Sequence, residues 1–537
     1  MRSGRVWLWL SARERLLFGA LILLHLVPIW AFQYFPSGDG PTHLDNANII
    51  REYNLPALTT LREYYTINTG ISAFWLGHVA LASLMSLVPM LVAEKIFLSG
   101  YVILLPLSIR YAIRSINVEN EAVAFLSLPL IYTYTFHMGF YNFSYSLVMF
   151  FFCIGYWIKH RERFGLRHGL TLALISTLLY FFHIVSWVLA FVTVSVLALS
   201  GAMLEKPNRT KERRLRRVKE VLLSLNVLSL LFFVPTVVLA CLFVQDSGWN
   251  ARYDLSAWNP KMIVWHLLSY QRAEMLVYLP FTLGFAFLLT FLLTSKIVRR
   301  DFRRWDVLLV VFISFVVIYA LAPRSAAGGG VIPPRLALYL FFALILWFGA
   351  QRFSMGLSRV VIGTSVVLSL TLLGINSMQY ADINRYLREY VSASKFIEPN
   401  ATLLPVSFSN RERVPGGHFL KVGPFMHAAS YIAAERNAVL LTNYEGYSTG
   451  FPIKFRPQLN PFVHLRNLEN LTSADEVLSY ADRTGGRIDY VLVWGIKDNQ
   501  IQNDDLARPF FKRLNTAYSR IFVSSENGLM HLYRRKT

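Results

Sequence analysis

The sequence is poor in charge and in cysteine. Of its 537 residues only 16% are charged, against about 25% in a typical soluble domain. The shortfall is concentrated in long uncharged runs, which excludes an ordinary soluble fold. The two cysteines, Cys153 and Cys241, both lie inside apolar stretches. They provide no disulfide framework and no metal-ligand spacing, and read as small buried hydrophobes. There is no glycine-rich phosphate loop and no obvious catalytic triad. There is also no extended basic groove with interleaved aromatics, so the net charge of +21 does not point to nucleic acid.

Apolar residues are what the chain has in abundance: they make up 54% of it. Residues 15–35, 71–92, 95–113, 121–136, 139–158, 169–204, 220–244, 276–295, 306–322, 334–350 and 360–376 are each mostly apolar. A helix needs about 20 such residues to cross about 30 Å of hydrocarbon. One run of that length fits a soluble core; this many do not. The run 169–204 is long enough for a hairpin of two spans. The expected fold is a polytopic α-helical membrane protein, with about 11–13 transmembrane helices and a small C-terminal α/β extracytoplasmic domain. Arg13 and Arg15 precede the first apolar stretch, but no small-residue cleavage site follows, so it reads as an uncleaved span rather than a signal peptide.

The excess positive charge sits largely in short loops at 159–167, 206–219 and 296–304, with a further group at 352–359. Cytoplasmic loops are enriched in Lys and Arg. This orientation places the N-terminus inside. The loops 36–70, 246–275 and 323–333 and everything after 377 then lie outside, on the periplasmic face of an inner membrane. It also demands an odd number of crossings. A simple count gives an even number, and the conflict lies between 71 and 158, where Arg110 and Arg114 belong inside. Either 71–92 or 121–136 therefore dips into the membrane without crossing. Two units result: a transmembrane module, 1–376, with the first outer loop 36–70, and a soluble domain, 377–537.

Beyond residue 379 the pattern changes. An amphipathic helix is expected over 382–396 and further helices over 424–435 and 474–481. Strands are expected at 402–408, 439–442, 489–494, 519–523 and 529–533. Asn527-Gly528 between the last two is a hairpin turn signal. This domain reads as a cap or recognition module rather than as the catalyst.

The first outer loop is the most informative stretch. Pro41 suits the first turn of a helix, and Ser37, Asp39 and Gly40 are plausible caps. In that helix Asp39, His43 and Asn46 share one face, and Asp45, Asn48 and Glu52 another. A carboxylate and an imidazole at i, i+4 can hold a metal or position a proton acceptor. The glycines flanking Asp39 admit a ligand or another backbone. The plainer alternative is that Asp39 only caps the helix and His43 sits at the lipid interface.

This layout resembles the C-type superfamily of membrane glycosyltransferases, which use polyprenyl-phosphate sugars or related lipid-linked donors. The resemblance covers the whole chain in arrangement and the loop around Asp39 in motif. It implies that Asp39, in the first extracytoplasmic loop, acts as base toward the acceptor or helps bind a metal. Many members carry an adjacent acidic pair or an Asp-X-Asp there; here Asp39 stands alone between glycines, with Asp45 further along the helix.

Other polar residues near the apolar runs fill out a site. His183 interrupts the run 169–204 and marks either the turn of a hairpin or a cavity-facing group. His137, Tyr141 and Asn142 stand at an outer mouth, where they line a sugar pocket or join an interfacial aromatic belt. Arg324 and Arg335 flank three consecutive glycines in the outer loop 321–335. An arginine at a membrane surface suits a lipid phosphate, and Arg335 is the first choice. Arg252 and Asp254 are weaker candidates.

The expected activity is transfer of a sugar from a polyprenyl-phosphate donor to an extracytoplasmic lipid, glycan or protein acceptor. Asp39, His43 and Asp45 are the candidate catalytic residues. Arg335, Arg324, His137, Asn142 and His183 are the candidate substrate-binding residues. A divalent metal ion is a candidate cofactor, with Asp39 and His43 its candidate ligands. The competing expectations are a transporter or flippase, a polysaccharide polymerase or ligase, and a non-catalytic scaffold of envelope glycan assembly. Few charges lie within the spans and no inverted repeat is evident, which disfavours a transporter.

Overall fold

The computed structural model describes residues 2–70, 73–203, 225–253, 261–409, 420–448, 450–465, 468 and 473–536. The basic loop 206–219 and Asp254 lie outside these. The chain is mostly helical, with a small sheet region toward the C-terminus. Among the described residues, eight helices are long and apolar enough to cross a membrane: Ala12–Ala31, Met90–Ile116, Tyr141–Arg163, Asn226–Ser247, Arg272–Arg299, Arg304–Leu321, Ile332–Gly349 and Met355–Phe396. Shorter apolar helices cover Leu76–Met85, Leu166–Phe182 and Ile184–Ser200. His183 separates the last two, so the long run 169–204 is a hairpin.

The basic segments collect at one end of the bundle. Arg304 Nη1 lies 3.2 Å from Glu162 Oε1, and the Arg161 guanidinium sits 4.4 Å from the Trp305 ring centre. Trp347 Nε1 donates to Asp306 Oδ1 at 2.9 Å. Asn117 Nδ2 donates to the Gln351 carbonyl at 3.3 Å. The opposite end carries the loop 36–70 and the sheet region, which pair through Tyr65–Ile67 and Ile453–Phe455.

Helix length separates the two ambiguous segments. Between residue 73 and the long helix that begins at Met90, the run 71–92 forms the ten-residue helix Leu76–Met85. Ten residues rise about 15 Å, half of the hydrocarbon thickness. The segment after Asn117 instead runs from the basic end to the opposite end, as the 3-10 stretch Val118–Leu130 and the turn Tyr134–His137. The backbone kinks at Asn120, and the ten residues from Glu121 to Leu130 beyond the kink climb about 20 Å. It is buried from Ala122 onward, and Asn120 Nδ2 anchors its start to the carbonyls of Phe348 and Gln351.

The last apolar helix does not stop at residue 376. Met355–Val391 is one helix, with no proline or glycine after Gly374 to break it. Its 37 residues span about 55 Å, so its C-terminal turns project beyond the apolar bundle. The expected separate helix at 382–396 is the end of this rod.

The sheet is mixed, in the order β3 (Val439–Leu440), β2 (Thr402–Ser407), β5 (Tyr490–Trp494), β7 (Met530–Arg535), β6 (Tyr518–Val523). β2 runs parallel to both β3 and β5, and β7 runs antiparallel to β5 and β6. Helix Ala474–Thr484 begins at the expected place, whereas the helix expected over 424–435 starts only at Ala429, after turns over 424–428. The link between β6 and β7 is longer than a two-residue turn. Glu389 of the long helix accepts from Ser524 Oγ at 2.6 Å, Asn527 Nδ2 at 2.7 Å and the Asn527 and Leu529 amides at 3.1 Å. Those bonds fix a wider loop in which only Gly528 has positive φ.

The first outer loop is knitted into this layer. β1 (Tyr65–Ile67) pairs antiparallel with β4 (Ile453–Phe455). Thr60 Oγ1 donates to the Asn400 carbonyl at 2.8 Å, and Tyr64 OH donates to the Arg487 carbonyl at 3.0 Å. Asn48 Nδ2 donates to the Ala434 carbonyl at 3.1 Å. Two segments far apart in sequence thus form one roof over the bundle.

Candidate functional site

Asp39 immediately precedes the helix Gly40–Glu52, with Pro41 in its first turn. Its carboxylate makes no capping bond to that helix, so the side chain is free for other work. The backbone around it is held from behind. The Gly38 amide donates to the His137 carbonyl at 3.0 Å, and the Asp39 amide to the Met138 carbonyl at 2.8 Å. Gly139 has φ +81°, and a Cβ there would lie 2.2 Å from the Gly40 nitrogen. At Gly40 a Cβ would lie 2.1 Å from Ser37 Oγ and 2.2 Å from Tyr141 OH. Tyr141 OH in turn donates to Glu94 Oε1 at 2.7 Å. The glycines therefore admit protein atoms, not ligand.

The Asp39 carboxylate faces a cavity. His427 Nε2 lies 3.6 Å from Asp39 Oδ1, and Tyr444, whose hydroxyl donates to Glu445 Oε1 at 3.5 Å, lines the same cavity. Burial pushes the Asp39 carboxyl up to about 7, against the pull of His43, Tyr444 and Arg335. A carboxylate titrating there suits a general base at neutral pH.

The cavity holds about 710 Å³, within the usual range for small-molecule sites. Asp39, His43, Asn142, His183 and Arg335 all line it. Its remaining wall is mostly apolar, from Phe140, Phe143, Ile184, Val188, Val317 and Leu321, with the backbone of Gly328, Gly329 and Gly330 at one side. The Arg335 guanidinium lies 4.2 Å from the Phe140 ring centre and 5.7 Å from that of Phe143, and donates through Nη1 to the Gly330 carbonyl. Its Nε is buried and has no partner among the described residues. A cation held on aromatic faces beside an apolar wall keeps donors available for an anion.

Two cavity residues also have structural tasks. Asn142 Oδ1 accepts from the Gly77 amide at 2.8 Å and its Nδ2 donates to the Phe74 carbonyl at 3.2 Å. It clamps the turn that opens the short helix Leu76–Met85. His183 Nδ1 accepts from the Val185 amide at 3.2 Å and packs against Phe74 and Phe143.

Three other expected residues lie away from the cavity. His137 is buried behind the Asp39 loop, 2.7 Å from Ser269 Oγ through Nδ1 and bonded to the Tyr380 hydroxyl through Nε2. Arg324 is exposed, although its neighbours Pro323 and Ala326 line the cavity. Its backbone bonds to Arg252 and Ile332. Asp45 is buried, and neither carboxylate oxygen has a hydrogen-bond partner among the described residues. Burial first, and then the nearby Glu445 charge, raise its carboxyl far above the usual range.

The structure adds residues that helical spacing does not reveal. His43 Nδ1 lies 3.0 Å from Glu445 Oε1 and 2.9 Å from His78 Nε2. His78 Nε2 lies 2.9 Å from Glu445 Oε2. These three buried side chains could hold a metal ion. Burial opposes ionisation of Glu445, but the two imidazoles outweigh it and hold its carboxyl well below the usual range. Asn46, which shares a helix face with Asp39 and His43, donates through Nδ2 to Glu445 Oε2. His78 comes from a segment that reads as a span, and Glu445 from the C-terminal layer. No motif links either to His43.

No protein-family model matches the chain, and comparison with the curated proteins returns no match.

Proposed function

We propose that the chain is an integral membrane glycosyltransferase that moves a sugar from a polyprenyl-phosphate donor to an acceptor outside the membrane, as the resemblance to the C-type superfamily implies. One observation carries the reading: Asp39 and Arg335, far apart in sequence, line the same cavity, and most of its remaining wall is apolar. A lipid-linked donor requires these three surfaces together. Its tail takes an apolar wall, its phosphate a cation, and its acceptor a base.

In this reading the prenyl chain lies against Ile184, Val188, Val317 and Leu321. Arg335 holds the phosphate through paired N–H donors. Asp39 takes the proton of the acceptor hydroxyl. That oxygen bonds to the anomeric carbon while the bond from this carbon to the phosphate oxygen breaks. Polyprenyl phosphate leaves with the electron pair, and Arg335 offsets the added negative charge.

The topology proposed with it has the basic end in the cytoplasm and the roof outside. The eight long helices, the hairpin 166–203 and the 3-10 segment cross, whereas Leu76–Met85 dips. The number of crossings is then odd, as the charge pattern requires. Tags at residue 206–219 loops and at the C-terminus should be accessible from opposite faces of sealed vesicles.

The test is transfer of label from radiolabelled polyprenyl-phosphate sugars to a membrane extract by protein in lipid. Wild type is expected to transfer, and Asp39→Asn and Arg335→Ala to lose at least about 100-fold, the scale of one acid–base group. Equal transfer by Asp39→Asn would remove Asp39 as base. Absence of transfer from every donor by folded protein would turn the reading toward a scaffold.

A further inference from the structure

While both rings are neutral, the cluster of His43, His78 and Glu445 holds fewer hydrogens than its contacts need. His78 Nδ1 lies 3.0 Å from the Phe74 carbonyl. A carbonyl only accepts, so Nδ1 carries the hydrogen, and in the neutral ring Nε2 presents a lone pair. That lone pair faces Glu445 Oε2 and His43 Nδ1, each at 2.9 Å. With both rings neutral, one proton on His43 Nδ1 leaves His78 Nε2 and Glu445 Oε2 opposed; a further proton or a metal ion there removes the conflict. Among the described residues no lysine or arginine pairs with Glu445. Three electron-pair donors thus converge, buried, around a point that calls for a cation.

The spacing fits one. Metal–imidazole bonds are about 2.0–2.1 Å, so neighbouring ligands stand about 2.9 Å apart at the right angles of an octahedral ion and about 3.3 Å apart around a tetrahedral one. The observed separations are 2.9–3.0 Å. Two imidazoles and one carboxylate form a set for zinc, iron or manganese rather than for magnesium or calcium, which prefer oxygen ligands. The surroundings are those of a metal site as well. Ligating histidines usually donate their second ring N–H to a backbone carbonyl, as His78 does. Asn46 donates to Glu445, and its own Oδ1 is fixed by Asn443 Nδ2 at 2.7 Å.

We propose that His43, His78 and Glu445 bind one divalent transition-metal ion, which fastens the first outer loop, the short helix Leu76–Met85 and the C-terminal layer together at the cavity edge. The three ligands come one from each of these segments. The ion therefore ties the roof to the bundle, and it holds the helix that begins beside Asp39. This assignment rests on ligand geometry and does not depend on the transfer reaction.

The test uses full-length protein in lipid nanodiscs, stripped with chelator and titrated with Zn²⁺ or Co²⁺. One ion per chain is expected by elemental analysis, with a visible d–d spectrum for Co²⁺. Glu445→Gln and His78→Gln should each lower metal affinity by more than 10-fold, and Asn46→Ala by about 10–100-fold. Chelator should lower the thermal midpoint of wild type and leave that of Glu445→Gln unchanged. If one glutamine variant does not fold, the other still decides. Folded wild type that takes up neither ion, or glutamine variants that bind as well as wild type, would overturn the assignment. Transfer activity is not a readout here, so failure of this site and failure of the transferase reading remain distinct.

Discussion

The Asp39 loop depends on a glycine that lies a hundred residues away. Gly139 adopts φ +81°, and a Cβ at that position would meet the Gly40 nitrogen at 2.2 Å and the Asp39 backbone at 2.9 Å. Gly139→Ala is therefore penalised twice. The left-handed backbone costs an alanine about 1–2 kcal/mol. Overpacking against backbone that cannot rotate away costs about 1–3 kcal/mol more. The total, about 2–5 kcal/mol, exceeds a typical point mutation. Gly528→Ala is the control. It has φ +67° but no atom within 4 Å of the new Cβ, so only the backbone share, about 1–2 kcal/mol, applies. Thermal unfolding in nanodiscs should rank wild type above Gly528→Ala and Gly528→Ala above Gly139→Ala. Because the clash is with residues 39 and 40, Gly139→Ala should also lose transfer activity at temperatures where it is folded, and Gly528→Ala should keep it. Equal midpoints for the two alanine variants would refute the claim that the 137–140 turn braces the Asp39 loop.

Three further outcomes are expected. Transfer should rise as pH passes through about 7, because burial pushes the Asp39 carboxyl up to about 7 and only its ionised form accepts a proton; a flat wild-type pH profile would contradict this. Asn142→Ala leaves the buried Gly77 amide without its acceptor, which costs about 1–3 kcal/mol and should appear as faster hydrogen exchange in residues 74–78. Asp45→Asn should be neutral or stabilising, since the native carboxyl is buried with no hydrogen-bond partner among the described residues. Its carboxyl is raised in the folded state, so wild-type stability falls as pH climbs above the unfolded value of about 4. The gap between wild type and Asp45→Asn midpoints should therefore widen with pH, and a constant gap would sink the argument.

Much of the site's first half was legible along the chain. Pro41 and the surrounding caps located the start of a helix, and helical spacing grouped Asp39, His43 and Asn46. Asp39 and His43 do meet the cavity, and Asn46 stands behind them on Glu445. The glycines around Asp39 do admit close neighbours, though these are Tyr141 and the 138–139 backbone rather than a ligand. His137 and Asn142 show the limit of such reading. Both sit at the expected end of the bundle, yet one is bonded into the interior and the other is occupied with the backbone of residues 74–77. Polarity at a span mouth indicates that a residue needs partners, not which partners it has.

What the sequence determined by itself is what short-range physics governs. Apolar run length sets which segments can be long buried helices, basic loops mark one end of the bundle, and alternation of strands and helices predicts the C-terminal sheet. Tertiary structure alone decided that the run 71–92 holds the ten-residue helix Leu76–Met85 while the run 121–136 winds as a buried 3-10 segment to Leu130. Both read as apolar runs along the chain, and packing distinguishes them. It alone joined β1 to β4 and brought His43, His78 and Glu445 within 4.8 Å. Such contacts close loops of hundreds of residues, and no local pattern records which distant group will satisfy a buried polar atom. The bundle follows from the solvent preference of each segment, whereas the site follows from which segments end up side by side.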